Sequence, residues 1–243
     1  MTRTYEAPAL FCDILRQSHT LIAGQTGSGK SVMLNGIITT ALKQGGNKYI
    51  FCDPKRVELR PYRNLPNCIA YAVTPAETVR ALEKAIAIME QRYEEMELKG
   101  LKQYQGEPIY IFIDELADLL ISADAKTIET QLRRLTALAR ASNIHCVLAT
   151  QAPNRRILKA ELVLNIPCRI ALRCQTAIES RQIINERGAE ELPMYGECLY
   201  LRPGHKVELW EVPLTPESET EELIETVISE CRPLASKIVR FIA

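Results

Sequence analysis

The 243-residue sequence predicts an α/β protein with a mainly parallel β-sheet flanked by helices. Short apolar runs alternate with helical patterns along the chain, which is typical of parallel strands joined by crossover helices. Most of these runs are apolar at nearly every position, as expected for strands that helices cover on both faces. The predicted strands are 19–24, 48–54, 68–73, 109–114, 145–151 and 169–174.

A β-hairpin is predicted towards the end of the chain. Segments 197–202 and 206–213 flank the turn residues Pro203 and Gly204. Two antiparallel strands joined by such a turn fit the edge of a sheet.

The helices are indicated by their capping residues. Thr74 and Glu77 form a capping box that opens a helix to about residue 98, and residues 176–179 repeat the pattern. A last helix starts after Thr215 and runs to about residue 231. In the segment 122–142, apolar residues recur at three- and four-residue steps and predict one buried face: Ile128, Leu132, Leu135 and Leu138.

Composition points to one cytoplasmic domain over residues 1–243. Lysine and arginine together equal aspartate and glutamate at 30 each, so the bulk charge indicates neither nucleic acid nor membrane. The apolar runs are far shorter than a membrane span, and the N-terminus lacks the regions of a signal peptide. We therefore expect no membrane contact from this chain.

The eight cysteines predict no disulfide framework. They include no C-x-x-C pair and lie mostly in apolar runs, which is typical of buried, reduced thiols in a cytosolic protein. The three histidines are isolated and lack the spacing of zinc ligands.

A phosphate-binding loop lies between the first strand and the first helix. Its residues match the pattern G-x-x-x-x-G-K-[ST]: Gly24, Gln25, Thr26, Gly27, Ser28, Gly29, Lys30 and Ser31. In this pattern the glycines let backbone N–H groups face phosphate oxygens, the lysine reaches the β- and γ-phosphates, and the serine hydroxyl ligates Mg²⁺. The motif predicts that ATP and Mg²⁺ bind here; the alternative is an accidental glycine-rich turn.

Two carboxylates end another apolar strand, at Asp114 and Glu115. Beside a phosphate-binding loop, Asp114 is predicted to hold Mg²⁺ and Glu115 to polarise the water that attacks the γ-phosphate. The alternative is a helix N-terminus that attracts acids through its dipole. Gln151 ends the next predicted strand and is expected to contact the γ-phosphate and that water, or else simply to cap a loop.

Six segments in this order resemble the motor domain of the FtsK/SpoIIIE DNA translocases: AGQTGSGKSVMLN, FCDPKRVEL, FIDELADLL, ARASNIHCVLATQAP, NIPCRIALR and RGAEEL. The resemblance covers about residues 8 to 213. It implies a RecA-like P-loop NTPase core, a hexameric ring, and ATP-driven movement of double-stranded DNA through the central pore. It also implies that Arg140 is a finger inserted into the ATP site of the neighbouring subunit; the alternative for Arg140 is a solvated residue near a helix end.

The sequence departs from the family pattern at several places. Asn143 replaces the usual glycine before Ile-His, and asparagine tolerates a left-handed backbone. The family's extra α-subdomain, its membrane anchor and its winged-helix reader domain have no counterpart in these 243 residues. We therefore expect a single motor domain, with its core at about 8–213 and a C-terminal helix at about 215–231.

Three basic residues follow the strand that ends at Gln151, namely Arg155, Arg156 and Lys159. In the motors that the chain resembles, the corresponding loop lines the pore and contacts DNA phosphates, so sequence-independent binding is expected. The alternative is an ordinary solvated loop.

Two functions of different class remain at this point. The first is an ATPase that translocates double-stranded DNA, for chromosome, plasmid or phage transfer. The second is a module that drives protein secretion, since type VII secretion motors carry FtsK/SpoIIIE-like ATPases. A single, intact set of catalytic residues favours the first.

Overall fold

The computed structural model describes residues 7–230, which contain eight strands. These are β1 (His19–Ala23), β2 (Lys48–Cys52), β3 (Cys68–Ala72), β4 (Ile109–Ile113), β5 (Ile144–Thr150), β6 (Cys168–Ala171), β7 (Glu197–Leu201) and β8 (Glu208–Glu211). They form one sheet in the order β3-β2-β4-β5-β1-β6-β7-β8. The pairs from β3 to β6 are parallel, and β7 and β8 are antiparallel.

Helices connect these strands. They are α1 (Ala7–Arg16), α2 (Lys30–Gln44), α3 (Pro75–Lys99), α4 (Leu116–Leu120), α5 (Ala125–Leu138), α6 (Ala160–Val163), α7 (Ala177–Ile184) and α8 (Glu217–Glu230), with a 3₁₀ helix at Arg60–Asn64. None of the helices described is long and apolar enough to cross a membrane.

The sheet separates two hydrophobic layers because successive side chains of a strand face opposite sides. Leu21 of β1 and Ile111 of β4 face a layer that includes α3 and α5. Ile22 and Phe112, one residue further along each strand, face the layer of α1, α2 and α8. The parallel strands at the centre are therefore covered on both faces, as their continuous apolar sequence predicts.

The predicted fold class and its main elements are confirmed. All six parallel strands are present with ends shifted by up to three residues, and the hairpin of β7 and β8 lies at an edge of the sheet. Both capping boxes are present: the side chains of Thr74 and Thr176 accept from the backbone N–H groups of Glu77 and Glu179. Asn143 adopts the expected left-handed backbone, with φ of 58°.

Other predictions were wrong or incomplete. Leu138 is 48% exposed, because it lies at the last residue of α5, where the helix leaves the core; Ile128, Leu132 and Leu135 are buried as expected. Helices α1 and α6 and the 3₁₀ helix carried no recognised sequence signal. Residue 231, the predicted end of the last helix, lies outside the described residues. Cys12 and Cys68 are only partly buried, unlike the other five free cysteines of the described chain.

Candidate nucleotide-binding site

The phosphate-binding loop joins β1 to α2 at the carboxyl edge of the sheet. Gly29, immediately before the first residue of α2, has φ of 91°, which a residue with a side chain adopts only at a cost. At Gly24 a Cβ atom would lie 2.7 Å from Cβ of Leu172, so the loop needs glycine there for close packing. The loop thus presents the N-terminus of a fifteen-residue helix to the solvent, which suits a phosphate group.

Lys30 and Asp114 form a buried ion pair at the base of this loop. Lys30 Nζ donates to the main-chain oxygen of Asp114 at 2.8 Å and also contacts carboxylate oxygen Oδ1. Both side chains are at most 4% exposed. Burial raises the pKa of Asp114 above its ordinary value, although the Lys30 ammonium opposes the shift. Each charge is tolerated in this position because the other compensates it.

Glu115 lies beside Asp114 and is surrounded by hydrogen-bond donors. Its Oε1 accepts from Thr150 Oγ1 at 2.8 Å, from Gln151 N at 3.1 Å and from Ala117 N at 3.4 Å. Its Oε2 accepts from Gln151 N at 3.2 Å and from Lys55 Nζ at 3.1 Å. The carboxylate is buried and is held between β5 on one side and the loop after β2 on the other.

Gln151 connects β5 to the phosphate-binding loop. Its side-chain oxygen accepts a hydrogen bond of 2.9 Å from Thr26 Oγ1 of that loop. Strands β4, β5 and β1 are neighbours in the sheet, so their carboxyl ends bring together residues far apart in the chain. The predicted catalytic group of Lys30, Glu115 and Gln151 therefore converges at one edge.

A cavity of about 570 Å³ opens over the loop. Backbone and side chains from Gln25 to Ser31 form one wall, and Tyr195, Val212 and Leu214 contribute to the other. Tyr195 and Leu214 are 71% and 75% exposed, which is unusual for large apolar groups. Sequence reasoning missed this apolar wall; an aromatic residue beside Gly196 was the available signal for Tyr195, and Leu214 carried none.

The side chains at the sheet edge fit Mg²⁺. Asp114 Oδ2 is buried and has no hydrogen-bond partner among the described residues. Ser31 is partly exposed and lines the same cavity. A carboxylate and a hydroxyl oxygen are the ligand types that Mg²⁺ takes when phosphates supply further ligands. Groups of three or more potential His, Cys, Asp or Glu metal ligands are absent from residues 7–230.

Arg140 lies far from this cavity. It is exposed in the turn between α5 and β5, at the amino edge of the sheet. The pKa of His19 is lowered mainly by burial, then by His145, and to a smaller extent by the charge of Arg140. Arg140 and Gln151 lie beyond opposite ends of the seven-residue strand β5, which is about 20 Å long at the rise of a parallel strand. An arginine side chain cannot span that distance, so Arg140 cannot reach the cavity of its own chain.

The basic residues after β5 are on the same edge as the cavity. Arg155 and Arg156 are exposed. Lys159 instead forms an ion pair of 2.5 Å with Glu129 of α5, which the sequence did not predict. Two of the three predicted DNA contacts therefore present an exposed positive charge, while the third is compensated within the chain.

A family model described as the FtsK/SpoIIIE family matches residues 6–107 and 99–155. The chain is 35% identical to the DNA translocase FtsK of Listeria monocytogenes and 34% identical to the DNA translocase SpoIIIE of Bacillus subtilis, in each case over 94% of this chain. These alignments cover 33% and 32% of the two relatives. The chain thus spans about a third of the length of the curated relatives it matches.

Solved structures share the fold. The pCW3 conjugation coupling protein TcpA, in a monomer form with ATPγS, aligns with a TM-score of 0.78 and 22% identity over 88% of this chain and 66% of that one. The cytoplasmic domain of the type VII secretion ATPase EccC from Thermomonospora curvata aligns with a TM-score of 0.69 and 20% identity, over 86% of this chain and 28% of that one. At these identities the likeness extends to the fold alone.

Proposed function

The chain belongs to the FtsK/SpoIIIE family of ATPases, and we propose that it is the motor core of a double-stranded DNA translocase that works as a ring. The observation that carries this proposal is the convergence of the phosphate-binding loop, Asp114, Glu115 and Gln151 at one sheet edge. The curated relatives named as DNA translocases support DNA as the substrate to be moved. We assign residues 8–213 to this core. The free cysteines of the described chain suit the reducing cytoplasm.

Nucleotide binding requires an exchange of partners at Lys30. In the structure its ammonium neutralises Asp114. In the proposed complex Lys30 turns to the β- and γ-phosphates, and Asp114 and Ser31 hold Mg²⁺, which supplies charge neutralisation on the phosphate oxygens. The unpartnered Oδ2 atom of Asp114 supports this role. The apolar wall formed by Tyr195 and Leu214 is suited to the nucleotide base.

Hydrolysis requires a base and a group that orients water. We assign the first role to Glu115, whose carboxylate is held by the backbone N–H groups of Gln151, directly after β5, and of Ala117 in α4. We assign the second to Gln151, whose side chain reaches the phosphate-binding loop through Thr26. A water molecule polarised by Glu115 attacks the γ-phosphorus, the bond between that phosphorus and the β–γ bridging oxygen breaks so that ADP leaves, and the proton of the water passes to the carboxylate.

The site of one subunit is incomplete without a neighbour. Arg140 lies at the amino edge of the sheet and the cavity at the carboxyl edge. We propose that head-to-tail packing of subunits in a ring, most economically a hexamer, places Arg140 of one chain at the phosphates bound by the next. Hydrolysis is then coupled to assembly, because no isolated chain contains a complete site.

We propose that DNA is contacted by the loop after β5. Arg155 and Arg156 are exposed there, close in sequence to Gln151, so a change at the γ-phosphate is transmitted to the DNA over a few residues. Six copies in a ring would concentrate positive charge although each chain is neutral overall. Contacts of this kind are to phosphates and give little sequence preference.

Protein secretion is the second candidate. It is supported by the fold that the chain shares with EccC, whereas the curated relatives with 34–38% identity are named DNA translocases. The decisive experiment measures ATPase activity with duplex DNA across a salt series, with assembly followed by mass photometry. We expect stimulation of several-fold that declines steeply as salt rises. ATPase activity that ignores duplex DNA at low salt, in samples that contain rings, would contradict the proposal.

A further inference from the structure

Lys55 occupies a position on Glu115 that the attacking water needs. The carboxylate of Glu115 offers about four lone-pair positions. Five hydrogen bonds from four groups already surround it: Thr150 Oγ1, Ala117 N, Lys55 Nζ, and Gln151 N, which is shared between both oxygens. In this arrangement Glu115 has no free position from which to accept a hydrogen bond from water.

Lys55 is the donor that can leave. The backbone N–H groups of Ala117 and Gln151 are fixed by α4 and by the end of β5, and Thr150 is fully buried. The side chain of Lys55 is 37% exposed, and its ammonium lies at the tip of a flexible four-carbon stem. Burial disfavours its charge, but the hydrogen bond to Glu115 and the neighbouring carboxylates outweigh that effect and raise its pKa. Lys55 therefore remains a cation, which an incoming phosphate attracts.

The loop that carries Lys55 is built to hold it at this place. Asp53, directly after β2, is fully buried, and its Oδ2 accepts from Leu59 N at 3.1 Å and from Tyr71 OH at 3.2 Å. Arg56 has φ of 59° and donates its backbone N–H to Asp53 O at 3.0 Å, which closes a tight turn around Lys55. Because β2 and β4 are parallel neighbours, this turn faces Glu115, two residues beyond the end of β4.

We propose that Lys55 is a positioning residue that blocks Glu115 until a nucleotide phosphate draws its ammonium away. In the idle site Lys55 caps Oε2 of Glu115, and the carboxylate cannot polarise water. When the ammonium moves towards the phosphate charge, Oε2 becomes free while the hydrogen bonds from β5 keep the carboxylate aimed. The inference rests on the proposed role of Glu115. It explains how ATP hydrolysis can remain slow in a site that already contains its catalytic base, until the phosphate displaces Lys55.

The test compares Lys55→Met with Lys55→Arg. Methionine keeps the length of the apolar stem and removes the donor. In the wild type the ammonium still returns to Oε2 of Glu115 for part of the time that ATP is bound, so we expect kcat of the ATPase without DNA to rise about three- to tenfold in the variant, an effect discounted for the partial exposure of Lys55. KM and the affinity for a fluorescent ATP analogue should change little, because the ammonium gives up one partner as it gains the other, and stimulation by DNA should shrink because the basal rate is already higher. Lys55→Arg restores a donor and should keep the low basal rate. A basal kcat in Lys55→Met at or below that of the wild type overturns the proposal.

Two further variants separate this inference from the assignment of Glu115. Lys48→Met is the matched control: Lys48 starts the same strand, β2, and pairs with Glu107 at 2.9 Å, but at the opposite edge of the sheet. Its basal rate should equal that of the wild type. Glu115→Gln and the double variant with Lys55→Met should both be inactive while still binding the analogue. If Glu115→Gln remains active, the proposed function of Glu115 fails; if it is inactive and Lys55→Met is not faster, only the role of Lys55 fails.

Discussion

Replacement of Arg140 by alanine gives the sharpest test of a site shared between subunits. The turn that carries Arg140 and the cavity lie at opposite edges of the sheet, about 20 Å apart along β5. Loss of an arginine that stabilises phosphate charge in the transition state lowers kcat about 10³- to 10⁵-fold, or about 4–7 kcal/mol. Because Arg140 touches nothing in its own cavity, ATP binding to the isolated chain should be unchanged.

A mixing assay shows whether the arginine acts in the neighbour. Arg140→Ala and Glu115→Gln should each be inactive alone, because each removes one half of the shared site. In mixed rings, a site works when the nucleotide is bound by an Arg140→Ala chain and the finger comes from a Glu115→Gln chain. With head-to-tail interfaces and equal random mixing, about a quarter of the sites meet both conditions, so about a quarter of the wild-type rate should return.

The control for this assay is a double variant that carries both substitutions. Mixed with Arg140→Ala, it supplies no intact finger, so no activity should return. Mass photometry before and after mixing establishes that subunits exchange. If mixed rings form and the first pair shows no more activity than the control pair, the shared site is refuted. Full activity of Arg140→Ala alone would refute it equally.

Three further predictions concern the DNA loop, the base pocket and stability. The double variant Arg155→Glu with Arg156→Glu should weaken the stimulation of ATPase activity by DNA. It should also make the slope of log DNA affinity against log salt concentration less steep by up to about two per subunit, whereas Arg134→Glu on α5 should leave that slope unchanged. An unchanged slope in the double variant argues against DNA contact by the loop. Tyr195→Ala should raise KM for ATP about three- to tenfold with little change in kcat, and Tyr195→Phe should preserve KM, if the ring packs on the base. Burial, with smaller electrostatic effects of His145 and Arg140, lowers the pKa of His19 from 6.5 to about 3, so the unfolded chain binds a proton that the folded chain does not. The free energy of unfolding should therefore fall as pH drops from about 6.5 towards 3, by up to about 1.4 kcal/mol per unit, and urea titrations of wild type and His19→Gln should differ in that slope.

Local patterns allowed much of the site to be predicted. The phosphate-binding loop depends on residues within one turn, and the capping boxes at Thr74 and Thr176 on residues three apart. A strand buried on both faces is largely apolar, so the polar residues that directly follow β4 and β5, Asp114 and Gln151, are conspicuous in the sequence. These features carry their physical cause in a few consecutive residues, which is why the sequence alone was sufficient.

The order of strands in the sheet decided the rest. Lys55, Glu115 and Thr150 meet because β2, β4 and β5 are neighbours in the sheet. The spacing of these residues along the sequence does not predict which strands are neighbours. The tertiary fold also brings Tyr195 over the phosphate-binding loop. The sequence alone determined which side chains are available for ATP chemistry; the tertiary structure decided which of them touch, because contacts between distant segments follow from how hydrophobic strands and helices pack.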